Sequence, residues 1–526
     1  MSFFLAIISG LLLMLCFPEY NLYWLIWIAL VPLLLGIFIA KRWWQALLCG
    51  WLAGLLYFGG VFSWLKVIKY WVGPTFGSLA WISLVLFQSI FIALFGLSFY
   101  FLLNWLKMQA NKSWREYLII IMAPALWLVI EWLRAQGPFG VSTGGLVYSQ
   151  YQVLPLIQIS AWIGAYGISF IIVLINMILA YILYLALFDS KAQAKRWQPG
   201  LKASSAAAVL ITLTVLYGFY ALNNKQATGK QKLKVAIFQP NVPQEKKLSR
   251  KYFPGLKDMF IQEIKRYSKL QKVDLILLPE TIVPELLMRD RYFIFRLKEA
   301  ARTNVLLGTP TIAKGKIYNS MVLIDKQGQE RSFYHKRHLV PFGEYLPFKK
   351  ILYPFLKGTD FFEQDYSAGG RRQVLNTPWE KIACAICFES ILPRLLRTPV
   401  QRGGQLIVVL TNDAWFKRTA GLEEHLSMSV LRAVENRRYL IQVANTGYSA
   451  LVDPFGRIIR RSDIEKQQWI TEEVFFNDKQ TVYTRFGDVL VYLSWIFIFT
   501  LSYQWVVYKK SYYKKRKLTR LRKEIN

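Results

Sequence analysis

Long apolar runs occupy the first 222 positions of the chain and recur near the C-terminus, whereas the stretch between them mixes short apolar runs with polar residues. A helix needs about 20 mostly apolar residues to cross a bilayer. Eight segments fit this pattern, at 2–17, 22–40, 44–65, 78–105, 116–133, 160–187, 203–222 and 489–508. No basic region precedes the first segment, and the second begins only four residues later. We therefore interpret 2–17 as a retained helix rather than a signal peptide, and predict an eight-helix transmembrane bundle.

The stretch 232–480 has the pattern of a globular α/β domain. Apolar runs typical of buried strands lie at 234–239, 273–278, 305–308, 318–324, 381–386, 406–410, 439–445 and 448–453. Helical patterns lie at 255–272, 290–303 and 421–437. Strands alternating with helices predict largely buried sheets, whose reactive side chains gather where strands end. The predicted multi-domain membrane protein has helices 1–7 in 1–222, a linker at 223–231, a catalytic domain at 232–480, helix 8 at 489–508 and a basic tail at 509–526.

The basic residues predict how the bundle is oriented. With the N-terminus in the cytoplasm, the cytoplasmic segments hold eighteen Lys and Arg and the short outer loops hold three. Cytoplasmic loops carry such an excess, so domain 232–480 is predicted to be extracytoplasmic and both termini cytoplasmic. A net charge of +33 also suits nucleic acid. Because the basic residues lie in short segments between apolar runs and in the tail, anionic lipid headgroups explain them better, and no nucleic-acid partner is expected.

A few polar residues stand out within the apolar runs. Glu131 and Arg134 lie at the end of the fifth run, before a glycine-rich loop at 137–145. Ionisable groups near hydrocarbon are costly and often functional, although an interfacial ion pair is the simpler interpretation. Asn104, Gln158 and Asn176 are candidates for hydrogen bonds between helices. The bundle alone does not distinguish a transporter from an anchor.

Three reactive side chains each follow an apolar strand or hairpin: Glu280, Lys336 and Cys387. A thiolate is the attacking form of cysteine. A carboxylate at Glu280 could accept the thiol proton as general base, and an ammonium at Lys336 could stabilise the oxyanion formed when Cys387 attacks an ester carbonyl. The product would be a thioester, which divides a hard transfer into two easier steps.

The three residues resemble the Glu–Lys–Cys triad of the carbon–nitrogen hydrolase (nitrilase) superfamily, over about 232–475. The string KRHLVPFGEYLP at 336–347, the string NDAWF at 412–416 and the flanking helices narrow this. Together they resemble the apolipoprotein N-acyltransferase family over nearly the whole chain. The resemblance implies a nitrilase-like αββα sandwich facing the periplasm, a multi-pass protein of the bacterial inner membrane, a phospholipid acyl donor and a diacylglyceryl-apolipoprotein acceptor. We expect no cofactor, no metal and a monomer.

The same resemblance implies further site residues. Supporting roles fall to Glu344, Glu389 and Glu435, and substrate-binding roles to Phe342, Phe388, Asn412 and Trp415. Each also has a plainer interpretation as a satisfied structural polar group or a core aromatic. The chain departs from the family where Leu248 replaces a frequent Trp and Phe388 replaces a frequent Tyr. These departures concern the substrate loops rather than the triad.

Other functions were weighed against transfer. Cys384 and Cys387 form C-x-x-C, but Cys384 lies inside a strand pattern, whereas a redox motif normally opens a helix. The histidine spacing does not suit zinc. The main alternative to acyl transfer is a membrane-anchored amidase or nitrilase that hydrolyses a small amide. A second alternative, which is not an enzyme, is a transporter with an extracytoplasmic sensor domain. Seven helices before the domain exceed what an anchor needs, and an intact triad does not suit a sensor.

Overall fold

The computed structural model describes residues 1–109, 114–189, 194–224, 229, 231–351, 365–370 and 373–525. Most of the predicted linker at 223–231, and residue 526 of the predicted tail, lie outside these ranges.

Apolar runs of the N-terminal part form a bundle of helices. They are α1 (Ser2–Leu15), α2 (Val31–Phe38), α3 (Trp43–Val61), α4 (Lys69–Val72), α5 (Pro74–Met108), α6 (Arg115–Arg134), α7 (Leu154–Ile157), α8 (Ser160–Phe188) and α9 (Ala194–Asn223). Within the described part of the chain, six helices are long and apolar enough to cross a membrane: Trp43–Val61, Pro74–Met108, Arg115–Arg134, Ser160–Phe188, Arg196–Asn223 and Val489–Lys510. The apolar segments Ser2–Leu15 and Tyr23–Phe38 are shorter. The count of eight transmembrane helices therefore stays a prediction.

The second predicted span is interrupted. A 3₁₀ segment at Tyr23–Trp27 precedes α2, whose first turn contains a proline. The break frees backbone groups that a continuous helix would pair, and such groups need partners inside a protein. The Asn176 amide supplies them: its Oδ1 accepts from the Leu30 N–H at 2.9 Å, and its Nδ2 donates to the Ile26 carbonyl at 2.9 Å. Asn176 thus joins α8 to the interrupted segment, as expected of a hydrogen bond between helices.

Glu131 and Arg134 find separate partners. The Glu131 carboxylate accepts hydrogen bonds from Trp127 Nε1 and Ser169 Oγ, both at 2.8 Å. The Arg134 guanidinium donates to the Thr143 carbonyl at 2.8 Å, within the glycine-rich loop. These hydrogen bonds therefore hold the helix end and the loop, rather than joining the two residues to each other.

The second part of the chain is an α/β unit. Its strands are β1 (Lys232–Gln239), β2 (Leu275–Leu277), β3 (Asn304–Ala313), β4 (Lys316–Ile324), β5 (Glu330–His335), β6 (Ile382–Ile386), β7 (Leu406–Thr411), β8 (Leu440–Ala444), β9 (Ala450–Val452), β10 (Ile458–Arg461) and β11 (Gln468–Phe475). Its helices are α10 (Gln244–Lys247), α11 (Phe253–Leu270), α12 (Arg291–Ala301), α13 (Pro393–Gln401), α14 (Gly421–Asn436) and α15 (Val482–Phe486), and α16 (Val489–Ile525) follows.

The strands form two sheets that face each other. One has the order β11-β1-β2-β3-β4-β5 and the other β10-β9-β8-β7-β6. In β1, Val235 and Ile237 pack between the sheets, while Ala236 and Phe238 pack against α11 and α12. This two-residue alternation is the geometry of a strand buried on both faces.

The outer face of the second sheet packs on the helical bundle. Ile407 and Val409 of β7 point away from the first sheet and belong to one continuous apolar cluster with α14 and residues of α2, α3, α5, α6 and α8. The bundle therefore does more than tether the α/β unit, because it shares a core with it.

Six elements of the α/β unit do not appear among the predicted ones: the short helices α10 and α15, helix α13, and strands β5, β10 and β11. Strand β10 is exposed over most of its length and carries two arginines, and β11 is polar at several positions. Both lie at the edge of a sheet, where one side of a strand stays open. Edge strands lack the apolar run by which buried strands are recognised. Helix α13 contains two prolines, which mask its helical pattern.

Candidate active site

Each of the three predicted catalytic residues lies just beyond the end of a strand. Glu280 follows β2, Lys336 follows β5 and Cys387 follows β6. The first two strands belong to one sheet and β6 to the other, so the site lies where the two sheets open at the same edge. Gly308 approaches the Glu280 turn so closely that a Cβ atom there would lie 2.6 Å from the Glu280 Cα.

Lys336 is the centre of the charged cluster. Its ammonium is almost fully buried and lies 2.9 Å from both carboxylate oxygens of Glu344 and 3.6 Å from Glu280 Oε1. Although burial lowers the pKa of Lys336, the carboxylates of Glu344 and Glu280 outweigh it and raise that pKa above its ordinary value. The lysine is therefore held in its charged form.

Glu280 is a carboxyl group whose pKa is raised. Burial is the main cause, opposed by the charge of Lys336 and reinforced by the charge of Glu344. A carboxylate with a raised pKa is a stronger proton acceptor, which is what a general base requires.

Two residues next to Glu280 have no part in the sequence-based prediction. Asn319 Nδ2 donates to Glu280 Oε1 at 2.7 Å and to Glu344 Oε1 at 2.9 Å, so one amide orients both carboxylates. Lys247 Nζ donates to the Glu280 carbonyl oxygen at 3.1 Å, and burial lowers the pKa of Lys247 to about 8. Asn319 and Lys247 belong to no sequence motif. Their role is apparent only from the structure, in which β4 and α10 place them beside the Glu280 turn.

Cys387 occupies a strained turn. Its φ of +51° lies in the left-handed region, at the start of a 3₁₀ segment spanning Cys387–Ile391. Non-glycine residues pay for this conformation, and it concentrates at functional sites. Burial raises the pKa of the Cys387 thiol, the charge of Glu280 raises it further, and Lys336 and a hydrogen bond with Thr411 lower it. The turn therefore carries a buried thiol whose pKa responds to the charges of Glu280 and Lys336.

A second polar chain lies beneath the Cys387 turn. Ser390 Oγ is 2.7 Å from His425 Nε2, and His425 Nδ1 is 3.1 Å from Asp413 Oδ1. Thr411 Oγ1 donates to the same carboxylate oxygen at 2.7 Å. Burial lowers the pKa of His425, but contact with Asp413 outweighs burial and raises that pKa overall. Since Ser390 also donates to the Cys387 carbonyl at 3.0 Å, this chain holds the turn from below.

The Glu389 side chain connects the Cys387 turn to the Lys336 turn through hydrogen bonds. Its carboxylate is fully buried and accepts from the Ile386 N–H at 2.8 Å, the Arg337 N–H at 2.7 Å and the Tyr334 hydroxyl at 2.7 Å. One side chain therefore bridges the end of β6 to the end of β5, which lie in different sheets.

The predicted substrate-binding residues occupy different surroundings. Asn412 is buried, accepts from Asn445 Nδ2 at 2.9 Å and donates to Gln244 Oε1 at 3.0 Å. Phe388 stacks on His338 with ring centroids 5.9 Å apart. Phe342 is half exposed at a positive φ of 62°, and Trp415 packs edge-on against Trp71 of α4.

Glu435 lies away from the triad cluster. It is fully buried, pairs with Arg432 at 2.8 Å and accepts from the Ala165 N–H at 2.8 Å. Helix α8 is kinked at Gly164, so Glu435 caps the second half of that helix. Burial raises the pKa of Glu435 to about 7. These contacts brace the joint between α14 and the bundle.

The remaining candidates concern the second thiol and metals. Cys384 is a free, fully buried thiol inside β6, and burial raises its pKa. Leu248, where the family often has Trp, is half exposed. Over the described ranges, no group of three His, Cys, Asp or Glu side chains is arranged to hold a metal ion.

Comparison with known proteins bears on both parts of the chain. Residues 9–178 match the apolipoprotein N-acyltransferase N-terminal domain, and residues 234–482 match the carbon–nitrogen hydrolase family. The apolipoprotein N-acyltransferase of Geobacter metallireducens is 32% identical over 502 residues, which covers 93% of this chain and 92% of that protein. That of Thermotoga maritima is 29% identical over 513 residues, covering 94% and 92%.

Solved structures match about half of the chain. Nit3 of Saccharomyces cerevisiae, a nitrilase-superfamily protein, is 20% identical with a TM-score of 0.36, covering 47% of this chain and 90% of that one. The sequence relatives span nearly the full length of both proteins, and this confirms the resemblance drawn from the motifs. The chain belongs to the apolipoprotein N-acyltransferase family.

Proposed function

We propose that this protein transfers a fatty acyl chain from a membrane phospholipid to the N-terminal amine of diacylglyceryl-cysteine apolipoproteins, through a thioester on Cys387. Relatives over most of the chain are named for N-acyl transfer. The observation that carries the proposal is the buried Lys336 ammonium, 2.9 Å from Glu344 and 3.6 Å from Glu280, beside a cysteine on a strained turn.

In the first half-reaction Cys387 Sγ attacks the ester carbonyl of the donor. Its proton passes to the Glu280 carboxylate as the sulfur–carbon bond forms, and the carbonyl oxygen becomes an oxyanion next to Lys336. When the tetrahedral intermediate collapses, the ester carbon–oxygen bond breaks. The departing lysophospholipid alkoxide takes the proton from Glu280, and the acyl chain remains as a thioester.

In the second half-reaction the N-terminal amine of the acceptor attacks the thioester. Glu280, again a carboxylate, accepts the proton that the amine loses as the carbon–nitrogen bond forms. The sulfur leaves as thiolate and takes that proton back, which restores the starting state. The same base serves both halves, as a ping-pong cycle requires.

The supporting residues act on these groups rather than on the substrate. Glu344 positions the Lys336 ammonium, and Asn319 orients the Glu280 carboxylate. Glu389 keeps the Cys387 turn beside the Lys336 turn. Phe342, Phe388, Asn412 and Trp415 are proposed to contact the substrates, and Glu435 to brace the domain on the bundle.

A lipid donor explains why the catalytic unit shares its core with membrane helices. We propose that the protein is a monomer of the bacterial inner membrane with the α/β unit in the periplasm and both termini in the cytoplasm. A site at the bilayer surface would meet the acyl ester where it resides and keep water from the thioester.

The test is incubation of the purified protein with a phospholipid carrying a labelled acyl chain, followed by intact-mass analysis. We expect an adduct of the fatty-acyl mass on the wild type and none on Cys387→Ala. Cys384→Ala is the matched control, because it removes the neighbouring thiol and should keep the adduct. Addition of a diacylglyceryl peptide with a free N-terminus should discharge the adduct and acylate the peptide.

The membrane-anchored amidase gives a different result in the same experiment. It would release ammonia from small amides and form no fatty-acyl adduct from phospholipid. That outcome would contradict acyl transfer while leaving Cys387 as the nucleophile.

A further inference from the structure

Two lysines share one tyrosine ring at the edge of the bundle. Lys69 Nζ lies 5.3 Å, and Lys417 Nζ 4.0 Å, from the centroid of the Tyr70 ring. The two ammonium groups are therefore separated by no more than the sum of these distances. Lys417 is also 5.3 Å from the Trp71 ring. We call Lys69, Tyr70, Trp71 and Lys417 the lysine–aromatic patch.

The patch lies where a phospholipid headgroup would be. Lys69, Tyr70 and Trp71 belong to α4, which connects the two membrane-length helices Trp43–Val61 and Pro74–Met108. Tyr and Trp concentrate at the boundary between hydrocarbon and water, and lysine stems reach toward it. Tyr70 is 62% exposed and Lys69 is also exposed, while Lys417 is partly buried.

The catalytic unit contributes the other half of the patch. Lys417 ends the 3₁₀ segment Asp413–Phe416, which follows β7 and carries Trp415. Trp71 Nε1 donates to the Trp415 carbonyl at 3.3 Å, and Phe416 packs edge-on against Trp64 at 4.7 Å. The two residues just before Lys417 are thus fastened to the bundle.

The positive charges of Lys69 and Lys417 are not neutralised by a carboxylate of the described residues. Among the residues described, neither ammonium group takes part in an ion pair, whereas the adjacent Arg418 is paired with Glu465 at 2.7 Å. Lys417 also has a φ of +46°, which is costly for a residue with a side chain. Strain and unpaired charge in one residue indicate that the position serves a ligand rather than the fold.

The patch is within a lipid's length of the nucleophile. Asp413, at the other end of the 3₁₀ segment, connects to Cys387 through a chain of contacts: its Oδ1 is 3.1 Å from His425 Nδ1, His425 Nε2 is 2.7 Å from Ser390 Oγ, and Ser390 Oγ donates to the Cys387 carbonyl at 3.0 Å. A 3₁₀ segment rises about 2 Å per residue, so Asp413 and Lys417 are on the order of 8 Å apart. In a phospholipid, only the glycerol unit separates the phosphate from the acyl ester. A phosphate at the patch therefore leaves the ester free to extend toward Cys387.

We propose that Lys69 and Lys417, with the Tyr70 hydroxyl, bind the phosphodiester of the acyl-donor phospholipid. This rests on the proposed acyl transfer, and it assigns the residues that recognise the donor. Ammonium groups bind phosphate oxygens through charge-assisted hydrogen bonds. Acidic groups of a lipoprotein acceptor could also meet two lysines, but the acceptor arrives only after the donor has reacted, so donor kinetics separate the two.

The experiment compares two donors of the same fatty acid: a phospholipid, and a p-nitrophenyl ester that has no phosphate. The double variant Lys69→Ala/Lys417→Ala should raise KM for the phospholipid about tenfold, the loss of one or two charged hydrogen bonds. Its KM for the p-nitrophenyl ester should stay at the wild-type value, which also shows that the variant is folded. Lys69→Arg/Lys417→Arg should keep the wild-type KM for phospholipid.

Lys509→Ala is the matched control, since Lys509 also lies over an aromatic ring, 5.5 Å from that of Trp505, near the end of the membrane-length stretch Val489–Lys510. It should change neither KM. An unchanged phospholipid KM in the double alanine variant, or an equal rise with both donors, would overturn the assignment of the patch. If instead the wild type forms no adduct from phospholipid, the proposed acyl transfer itself fails.

Discussion

The Lys336 ammonium lies closer to Glu344 than to Glu280, at 2.9 Å against 3.6 Å. Glu344 therefore takes the ion pair, and Glu280 keeps the freedom to exchange a proton. Without Glu344, the lysine would pair fully with Glu280 and reduce its basicity. The chemistry proposed for the triad thus depends on a fourth charged residue.

Glu344→Gln tests this division. We expect the rate of Cys387 acylation to fall about 100-fold, because the lysine and the base both shift. Burial is the main cause of the raised Glu280 pKa and the Glu344 charge adds to it, so removing that charge lowers the Glu280 pKa. The acid limb of kcat/KM should move to lower pH. An acid limb that stays in place would contradict the role of Glu344. The control is Glu299→Gln, because the Glu299 side chain lies on the exposed face of α12.

Gly308→Ala tests how tightly the Glu280 turn is held. The added Cβ would lie 2.6 Å from the Glu280 Cα and the Pro279 carbonyl oxygen, so the turn must move. We expect acylation to slow about 100-fold, since displacement of about 1 Å at a catalytic group has that effect. Gly255→Ala is the control, because a Cβ there meets nothing within 4 Å. Equal rates of adduct formation in both variants would argue against the turn as a constraint.

His425→Gln tests the polar chain beneath Cys387. Contact with Asp413 raises the folded-state pKa of His425 above its unfolded value. The stabilisation by this pair is therefore complete below the unfolded pKa of about 6.5 and is lost as pH rises through the folded pKa. We expect His425→Gln to be less stable than wild type by about 1–3 kcal/mol in acid, where its melting temperature should lie furthest below that of wild type. The difference in melting temperature should narrow at alkaline pH. A difference that does not change with pH would mean that folding leaves the pKa of His425 unchanged, which would contradict its pairing with Asp413.

Asn176→Leu tests the joint inside the bundle. The substitution leaves the Leu30 N–H and the Ile26 carbonyl without their partner, at a cost of about 1–3 kcal/mol. Asn104→Leu is the matched control, because the Asn104 amide donates only within its own helix, to the Tyr100 carbonyl at 2.9 Å. Thermal unfolding in detergent should separate the two variants, and equal melting temperatures would show that the interrupted segment does not need Asn176.

Much of the fold follows from patterns that are local in the chain. The buried strands β1, β6 and β7 are continuous apolar runs. Helices α5, α6 and α8 each contain an apolar stretch long enough to cross a membrane. Edge strands β10 and β11 escaped prediction because half of their hydrogen-bonding and side-chain surface faces solvent. The break before α2 escaped it as well, since its backbone is satisfied by Asn176, a residue 146 positions away from Leu30.

The sequence by itself determined which reactive residues end a strand, and so which thiol, carboxyl and amine were candidates. Only the tertiary structure decided that Glu344 takes the ion pair, that Asn319 and His425 support the site, and that Glu435 holds the bundle. The physical reason is that the end of a buried strand coincides with the end of a local apolar run, which the sequence shows directly. The partners of a buried polar group are chosen by where two sheets and a bundle meet, and sequence spacing does not record that meeting.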